Sequence, residues 1–420
     1  MFLSLMLKLI LSVAVLLCYF IYRYQKKYDY WRNLGVPFVG KSGDIIYETR
    51  KHKSFAIQDR YNELAPYPYG GIFQAGKPYL LVRDPELIQR ILVRDFSHFT
   101  DRGIAIHEEI DPLNKIRSKL IPIFSTGKLR SMFSKTEQCI LALNRSAKIS
   151  PSPNSSFDPP EDAGVASVEG FNKEVEDFVM NVTREAVKNR EVNQNKRNDL
   201  IQLMANLQHE ERQALQDQTN ETFAAQLFIF FLAGYDTTAT TLANCLYELA
   251  LNPGIMDRLR AEVQTICDRN CGKLDYDALN RMPYMDCIIN ETLRKYPPVG
   301  WLDRLCVKNY TLLDASLQIK ENLNILIPVY ALHHDPQFFP EPQKSNIIPG
   351  TFLPFGDGPR ICIGNRFALM EIRAALAFFV NNFSLHPTSR TEVPLSFNNH
   401  SILFRPARGV HLKIKKRKME

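Results

Sequence analysis

The run Phe355-Gly356-Asp357-Gly358-Pro359-Arg360-Ile361-Cys362-Ile363-Gly364 constrains this chain more than any other stretch of it. It sets one cysteine between two glycines, just after an arginine and just before a long amphipathic stretch. A lone buried cysteine normally behaves as a small hydrophobe. Here Gly358 and Gly364 can adopt backbone angles closed to other residues, which lets the main chain approach a flat group closely. Loop amides can then point at the sulfur and tune it. A fold built around this run is expected to present a thiolate to the face of a metal-bearing ring.

The remainder of the chain is large enough to support such a site. It has 420 residues, 45% hydrophobic and 23% charged, an ordinary composition that supports a sizeable core and argues against disorder. The formal net charge of +7 suits an anionic membrane surface or an acidic protein partner. It falls short of a nucleic-acid signature, and no finger, homeodomain or single-strand-binding pattern accompanies it. Eight scattered cysteines form no disulfide framework, which places the chain in a reducing compartment. Cys267 and Cys271 have helical metal-ligand spacing but no second half of a site, so they read as ordinary thiols.

Residues 1–22 are almost wholly apolar, with Lys8 the only charge, and Arg23, Lys26 and Lys27 follow at once. About 20 apolar residues suffice to span a bilayer. The run predicts a transmembrane anchor whose positive flank holds the following residues in the cytosol. A cleaved signal would show its positive end first and a small-x-small site after, and neither is present. The expected organisation is an anchor over 1–22, a linker over 23–40 and a catalytic domain over 41–420.

Periodicity and punctuation predict a mainly α domain with small sheets near both ends. Strands are expected over 71–74 and 79–82. Asp84-Pro85-Glu86 starts a helix with Leu87, Ile91 and Leu92 on its apolar face. The Ser/Pro-rich stretch 145–167 reads as an exposed, poorly ordered loop, and a polar helix follows over 172–190. A helix over 220–251 is apolar nearly all round, which places it in the core, and Asn252-Pro253 stops it. Further helices are expected over 253–268, 283–295 and 364–382, with a strand-rich section over 304–328.

Three constellations carry chemistry. In the first, Cys362 has the spacing of an axial thiolate for haem iron, a ligand that favours O–O cleavage. Arg360 lies close enough in sequence to pair with a haem propionate. The second is Ala233-Gly234-Tyr235-Asp236-Thr237-Thr238, inside the apolar helix, where an acid and hydroxyls are costly unless used or paired. Thr237 can bond a backbone carbonyl and locally open the helix, leaving Asp236 and Thr237 to relay protons to dioxygen. The alternative is a back-bonded pair with no chemistry. The third is Glu291-Thr292-Leu293-Arg294, whose ends share a helix face and can form a buried bidentate pair of structural use.

In this order and with these flanks, the three motifs resemble the cytochrome P-450 superfamily across most of the chain. Phe96-Ser97-His98-Phe99-Thr100-Asp101-Arg102-Gly103, Phe124-Ser125-Thr126-Gly127-Lys128-Leu129 and Tyr296-Pro297-Pro298 look like the microsomal insect enzymes that handle foreign compounds. The resemblance implies a helical triangular prism with small β-sheets and an N-terminal transmembrane helix in the endoplasmic reticulum. It also implies haem as cofactor and a monooxygenase reaction on a lipophilic small molecule. Electrons would come from NADPH through a flavin reductase, with cytochrome b5 as a further partner. Cys362 would be the iron ligand and Phe355 its shield. Arg360, Arg304 and Arg117 would hold propionates, with Gly358 and Gly364 shaping the loop. Asp236 and Thr237 would serve oxygen activation, and Glu291 and Arg294 would form the structural pair. Substrate would touch Phe230, Ala233, Thr237, residues 299–302, Ser401 and Ile402.

Three departures from the family pattern accompany the resemblance. Leu113 stands where the family has a tryptophan before Arg117, in a stretch that looks shortened. The Ser/Pro-rich stretch replaces several helices. Pro342-Gln343-Lys344-Ser345-Asn346 passes almost directly to the cysteine loop, so the usual third member of the Glu291–Arg294 network has no counterpart. The competing readings are a haem-thiolate isomerase or dehydratase, which Asp236-Thr237 argues against, and a haem-binding relative without turnover.

Overall fold

The structure is a computed structural model that describes residues 2–40, 51–74, 76–103, 117, 120–149, 181–182, 185, 201–202, 220–312, 317–340 and 347–417. In chain order, α1 (Phe2–Asn33) and α2 (Lys53–Glu63) precede a hairpin of β1 (Tyr69–Gln74) and β2 (Lys77–Val82). The short α3 (Pro85–Gln89) runs into a single π-helical turn, Arg90–Arg94. Then come α4 (Thr126–Ile149), α5 (Asn220–Leu251), α6 (Pro253–Arg269), α7 (Tyr276–Leu279) and α8 (Pro283–Lys295). The strands β3 (Leu302–Leu305), β4 (Tyr310–Thr311), β5 (Gln318–Ile319) and β6 (Asn324–Ile327) lead to α9 (Val329–His333). The chain closes with α10 (Asn365–Asn382), β7 (Phe383–Pro387) and β8 (Leu412–Lys416).

Local chemistry explains the boundaries that position the site. Asp84 caps α3, its carboxylate accepting from Leu87 N at 2.8 Å, with Pro85 at the first helical position. Pro253 and Pro283 open α6 and α8 in the same way. The main sheet has the order β1-β2-β6-β3, with β2 parallel to β6 and β3 antiparallel to it. This pairing sets Arg304 opposite Ile325 and carries the chain from the sheet straight into α9.

Two apolar cores result. One gathers β1, β2 and β6 with Ile57, Tyr61, Ile88, Ile91, Trp301 and Leu353. The other is helical, joining Leu129 of α4, Cys245 and Leu249 of α5, Leu259 of α6, Ile289 and Leu293 of α8 and Leu376 of α10. The mainly α architecture with small sheets matches the expectation from periodicity.

The expected linker, 23–40, behaves differently. α1 continues unbroken to Asn33, and Trp31 is fully buried in the first core. Its indole Nε1 donates to Ile72 O at 3.3 Å, and a Cβ on Gly71 would lie 2.4 Å from its ring. Phe38 bridges to Gly71. Residues 31–38 thus belong to the catalytic body. Among the described residues, no helix is long and apolar enough to cross a membrane. Residues 145–149, expected in the Ser/Pro-rich loop, are the last turn of α4. The rest of that loop, most of the polar helix at 172–190, Leu113 and residues 342–346 lie outside the described residues.

Candidate functional site

The cysteine loop is shaped by its own backbone. Cys362 N donates to Phe355 O at 2.8 Å and Ile361 N to Gly358 O at 3.0 Å. Asp357 caps the short turn Gly358–Arg360, accepting from Gly358 N at 2.7 Å. Gly358 has φ of 68°, and a Cβ there would meet Leu92 O at 1.9 Å. Its role is therefore to seat the loop on the π-turn, where Gln89 also donates to Asp357 at 2.7 Å. Gly364 departs from expectation. Its φ of −91° is open to any residue, and it is the N-cap of α10. A Cβ there would meet nothing within 4 Å, so Gly364 borders open space.

Cys362 and neighbouring Ile361 are exposed, so the sulfur is reachable. Burial of the surrounding loop pushes the thiol pKa up, while the Gly364 N–H, Arg117 and Arg102 pull it down. Arg117 Nη2 donates to Ile361 O, and Arg117 Nε is buried without a partner. Arg360 Nη2 donates to Thr100 O at 2.8 Å. Arg304 is only 3% exposed, and its Nε is likewise buried and unpaired. Burial and the nearby Arg102 and Arg360 lower its pKa to about 10, against a smaller opposing effect of Asp303.

Arg102 was not singled out from the sequence. Its signal was the run from Phe96 to Gly103, which pairs with the sheet edge through a bridge between Asp101 and Leu305 and through Leu305 N to Asp101 O at 2.8 Å. Guanidiniums gathered with buried, unpaired N–H groups call for an anion. A reachable thiol within the influence of Arg117 and Arg102, beside open space at Gly364, fits a flat metal-bearing ring with carboxylate substituents. The residues present therefore fit haem.

The second constellation sits on α5. Thr237 Oγ1 donates to Ala233 O at 2.6 Å and Thr241 Oγ1 to Thr237 O at 2.8 Å. The expected bond is present, yet the helix is not opened: α5 stays α-helical from Asn220 to Leu251. Asp236 is half-buried, and Thr238 Oγ1 is buried without a partner. Around them the described side chains of the helix stand exposed. Phe231 is 65% and Tyr235 58% exposed, their rings stacked at 5.9 Å. Ala233 and Gly234 are exposed, and a Cβ on Gly234 would meet nothing within 4 Å. Phe230 instead stacks with Phe124 at 6.4 Å. Val299, Leu302 and Ser401 are half-buried and Ile402 is exposed, whereas Trp301 is buried under the Lys53 ammonium at 4.6 Å. α10, which follows the cysteine loop, packs along α5 and joins the two constellations.

The third constellation is a bidentate pair. Arg294 Nε and Nη2 each donate to a Glu291 carboxylate oxygen at 2.8 Å. Arg294 is 14% exposed and Glu291 41%, so only the arginine end is buried, against the expectation of a fully buried pair. The remaining Arg294 Nη1 donates to His333 O at 2.7 Å. Among the described residues, a backbone carbonyl of α9 thus stands third in this network.

Comparison with known proteins agrees with this geometry. The family model described as Cytochrome P450 matches residues 163–413. Cytochrome P450 6j1 of Blattella germanica is 30% identical over 490 residues, covering 96% of both chains. Probable cytochrome P450 6a20 of Drosophila melanogaster is 30% identical over 505 residues, covering 98% of this chain and 99% of that one. Probable cytochrome P450 6a13 of the same fly is 33% identical over 422 residues, covering 82% of this chain and 85% of that one. All three aligned lengths exceed the 420 residues of this chain, so those relatives carry segments that it lacks. The reachable thiol, the unsatisfied guanidiniums around it and likeness over nearly the whole length lead to one assignment: the chain belongs to the cytochrome P450 family of haem-thiolate monooxygenases.

Proposed function

We propose that this protein inserts one oxygen atom from dioxygen into a lipophilic small molecule, with Cys362 as iron ligand and electrons from NADPH delivered by a flavin reductase. The observation that carries the reading is the reachable Cys362 near Arg117 and Arg102, together with the buried, unpaired Nε groups of Arg117 and Arg304. When bound, haem supplies an iron centre whose thiolate ligand favours O–O cleavage. The chain's own residues do the rest. Arg304, Arg117, Arg360 and Arg102 would hold the propionates of haem. Phe355 lies beside the cysteine, its carbonyl taking the Cys362 amide at 2.8 Å, and Gly364 N–H stabilises the thiolate.

On the other side, Thr237 and Asp236 manage protons. Thr237 Oγ1 rests on Ala233 O at 2.6 Å, and rotation about its side chain frees the hydroxyl to pass a proton from Asp236. The bare stretch around Phe231, Ala233, Gly234 and Tyr235 offers apolar contact to a lipophilic substrate, together with Val299, Leu302, Ser401 and Ile402. Lys413, Lys415 and Lys416 are exposed on β8 and supply the positive surface for an acidic reductase or cytochrome b5.

From Phe2 on, the apolar run forms the first part of α1, with Leu11, Val15, Leu16 and Leu17 exposed and Arg23, Lys26 and Lys27 following in the sequence. It is the natural anchor to the endoplasmic reticulum membrane, with the catalytic body on the cytosolic side. The test is turnover under isotope-labelled dioxygen, using the full chain in membranes with an NADPH-dependent flavin reductase and a panel of lipophilic substrates. Product carrying one labelled oxygen supports the reading. Stoichiometric NADPH use with no labelled product, or product labelled from water, overturns it.

A further inference from the structure

His333 is fully buried at the end of α9, twenty residues before the segment that leads into the cysteine loop. Two of its ring contacts belong to that segment. Leu353 N donates to His333 Nε2 at 2.9 Å. Phe352 stacks on the imidazole with centroids 5.2 Å apart and planes at 30°, and Phe339 meets its edge at 6.3 Å. Because Nε2 accepts, the ring is neutral and its proton sits on Nδ1. Burial holds the histidine pKa down to about 3, helped by His334, while the carbonyls of Arg294 and Leu293 pull it the other way. The acceptor is thus kept unprotonated across the physiological range.

The bonds continue on both sides of this ring. Behind it, His333 O takes Arg294 Nη1, and Arg294 grips Glu291 with its other two donors. Ahead of it, Leu353 O accepts Gly356 N at 3.0 Å, and Phe355 O accepts Cys362 N at 2.8 Å. Just upstream, Gly350 has φ of 87°, and a Cβ there would meet Pro85 O at 2.5 Å, so the segment is pinned at that end by backbone packing. Its other end rests on the imidazole.

We infer that His333 is a positioning residue that couples the Glu291–Arg294 pair to the cysteine loop, by holding the Leu353 amide and the Phe352 ring in register for Cys362. The inference rests on Cys362 as iron ligand, and the test separates the two. Two full-length variants are compared with wild type in membranes. His333→Leu removes the acceptor, and His333→Gln restores an amide oxygen near the place of Nε2. The first readout is the carbon monoxide spectrum of the reduced protein, which distinguishes thiolate from protonated-thiol ligation. The second is amide hydrogen exchange of peptides covering residues 352–362 in the detergent-solubilised, haem-stripped chain.

The expected result is about tenfold faster exchange in His333→Leu, with a shift of its band toward the thiol form, and near-normal values for both in His333→Gln. Wild-type exchange and band in His333→Leu, or equal defects in the two variants, would overturn the inference. Where His333→Leu fails to fold, His333→Gln decides alone: wild-type behaviour supports the role, and a thiol-type band with fast exchange refutes it. Where the wild type itself shows no thiolate band, the ligand reading has failed and the exchange rates alone judge His333.

Discussion

The cysteine loop, which leads into α10, and the middle of α5 are built in opposite ways. The loop is held on every side: Gly358 against Leu92, Asp357 on Gln89, Cys362 N on Phe355 O, and Leu353 on His333. Beside it, Arg304 and Arg117 each keep a buried Nε without a partner. Among the described residues the α5 face is exposed and apolar, with Phe231 and Tyr235 standing on an intact helix. One face is pre-formed for a single group of fixed charge and shape. The other offers area without directional contacts, which suits recognition of varied apolar molecules. The lesson is that ligation and selectivity are separable here, and substitutions on the two faces should fail differently.

The largest effect is expected at Cys362→Ser. It should remove the thiolate-type band of the carbon monoxide complex and abolish oxygenation, and retained turnover would refute the ligand assignment. Next comes Arg304→Leu, which replaces a buried guanidinium with an apolar side chain. Loss of a charge-assisted contact should speed haem dissociation roughly tenfold to a hundredfold, measured by transfer to an apo-globin acceptor. An unchanged rate would mean that Arg304 holds no propionate.

On the opposite face, Thr237→Ala should leave the carbonyl spectrum intact while diverting electrons into peroxide. Product per NADPH falls severalfold if the hydroxyl serves proton delivery, and unchanged coupling would reduce Thr237 to a back-bonded helix residue. A smaller effect is expected behind the loop, at Glu371 of α10. Burial raises its carboxyl pKa to about 7 from the usual 4.5. A carboxyl with a raised folded-state pKa favours the fold below pH 4.5, and that contribution is lost as pH rises through 7. Thermal midpoints of Glu371→Gln should therefore decline less between pH 4.5 and 7 than those of wild type. Parallel profiles would show that Glu371 is solvated after all. The smallest effect belongs to Phe231→Ser. At an exposed position it should alter stability by no more than about 0.5 kcal/mol and leave the spectrum unchanged, while shifting apparent affinity among lipophilic substrates. A change in haem ligation there would break the separation of the two faces.

Much of this architecture is legible in the amino-acid order because it is locally encoded. Apolar content and the stop at Asn252-Pro253 mark α5, and Pro283 and Tyr296-Pro297 bracket α8. The spacing of Gly, Arg and Cys points to the loop. What escaped the sequence depends on contacts between distant residues. Trp31 lies in a polar, charged stretch that reads as a linker, and only the close approach of Gly71 explains its burial. Arg102 joins the guanidinium cluster because Asp101 pairs with Leu305, some two hundred residues away. Gly358 also seats the loop on Leu92, a long-range contact that its motif does not spell out. His333 carries no motif of its own, since its partners, Arg294 and Leu353, flank it at long range. Thr237 illustrates the reverse error. The hydroxyl–carbonyl bond follows from local geometry, but it leaves α5 α-helical throughout.

The most direct test of the account is the carbon monoxide difference spectrum of the reduced full-length protein in membranes. The held cysteine loop predicts the red-shifted Soret band of a thiolate-ligated haem. A spectrum with only the shorter-wavelength band, or with no haem band at all, would contradict the claim that this loop is pre-formed to ligate haem iron through Cys362.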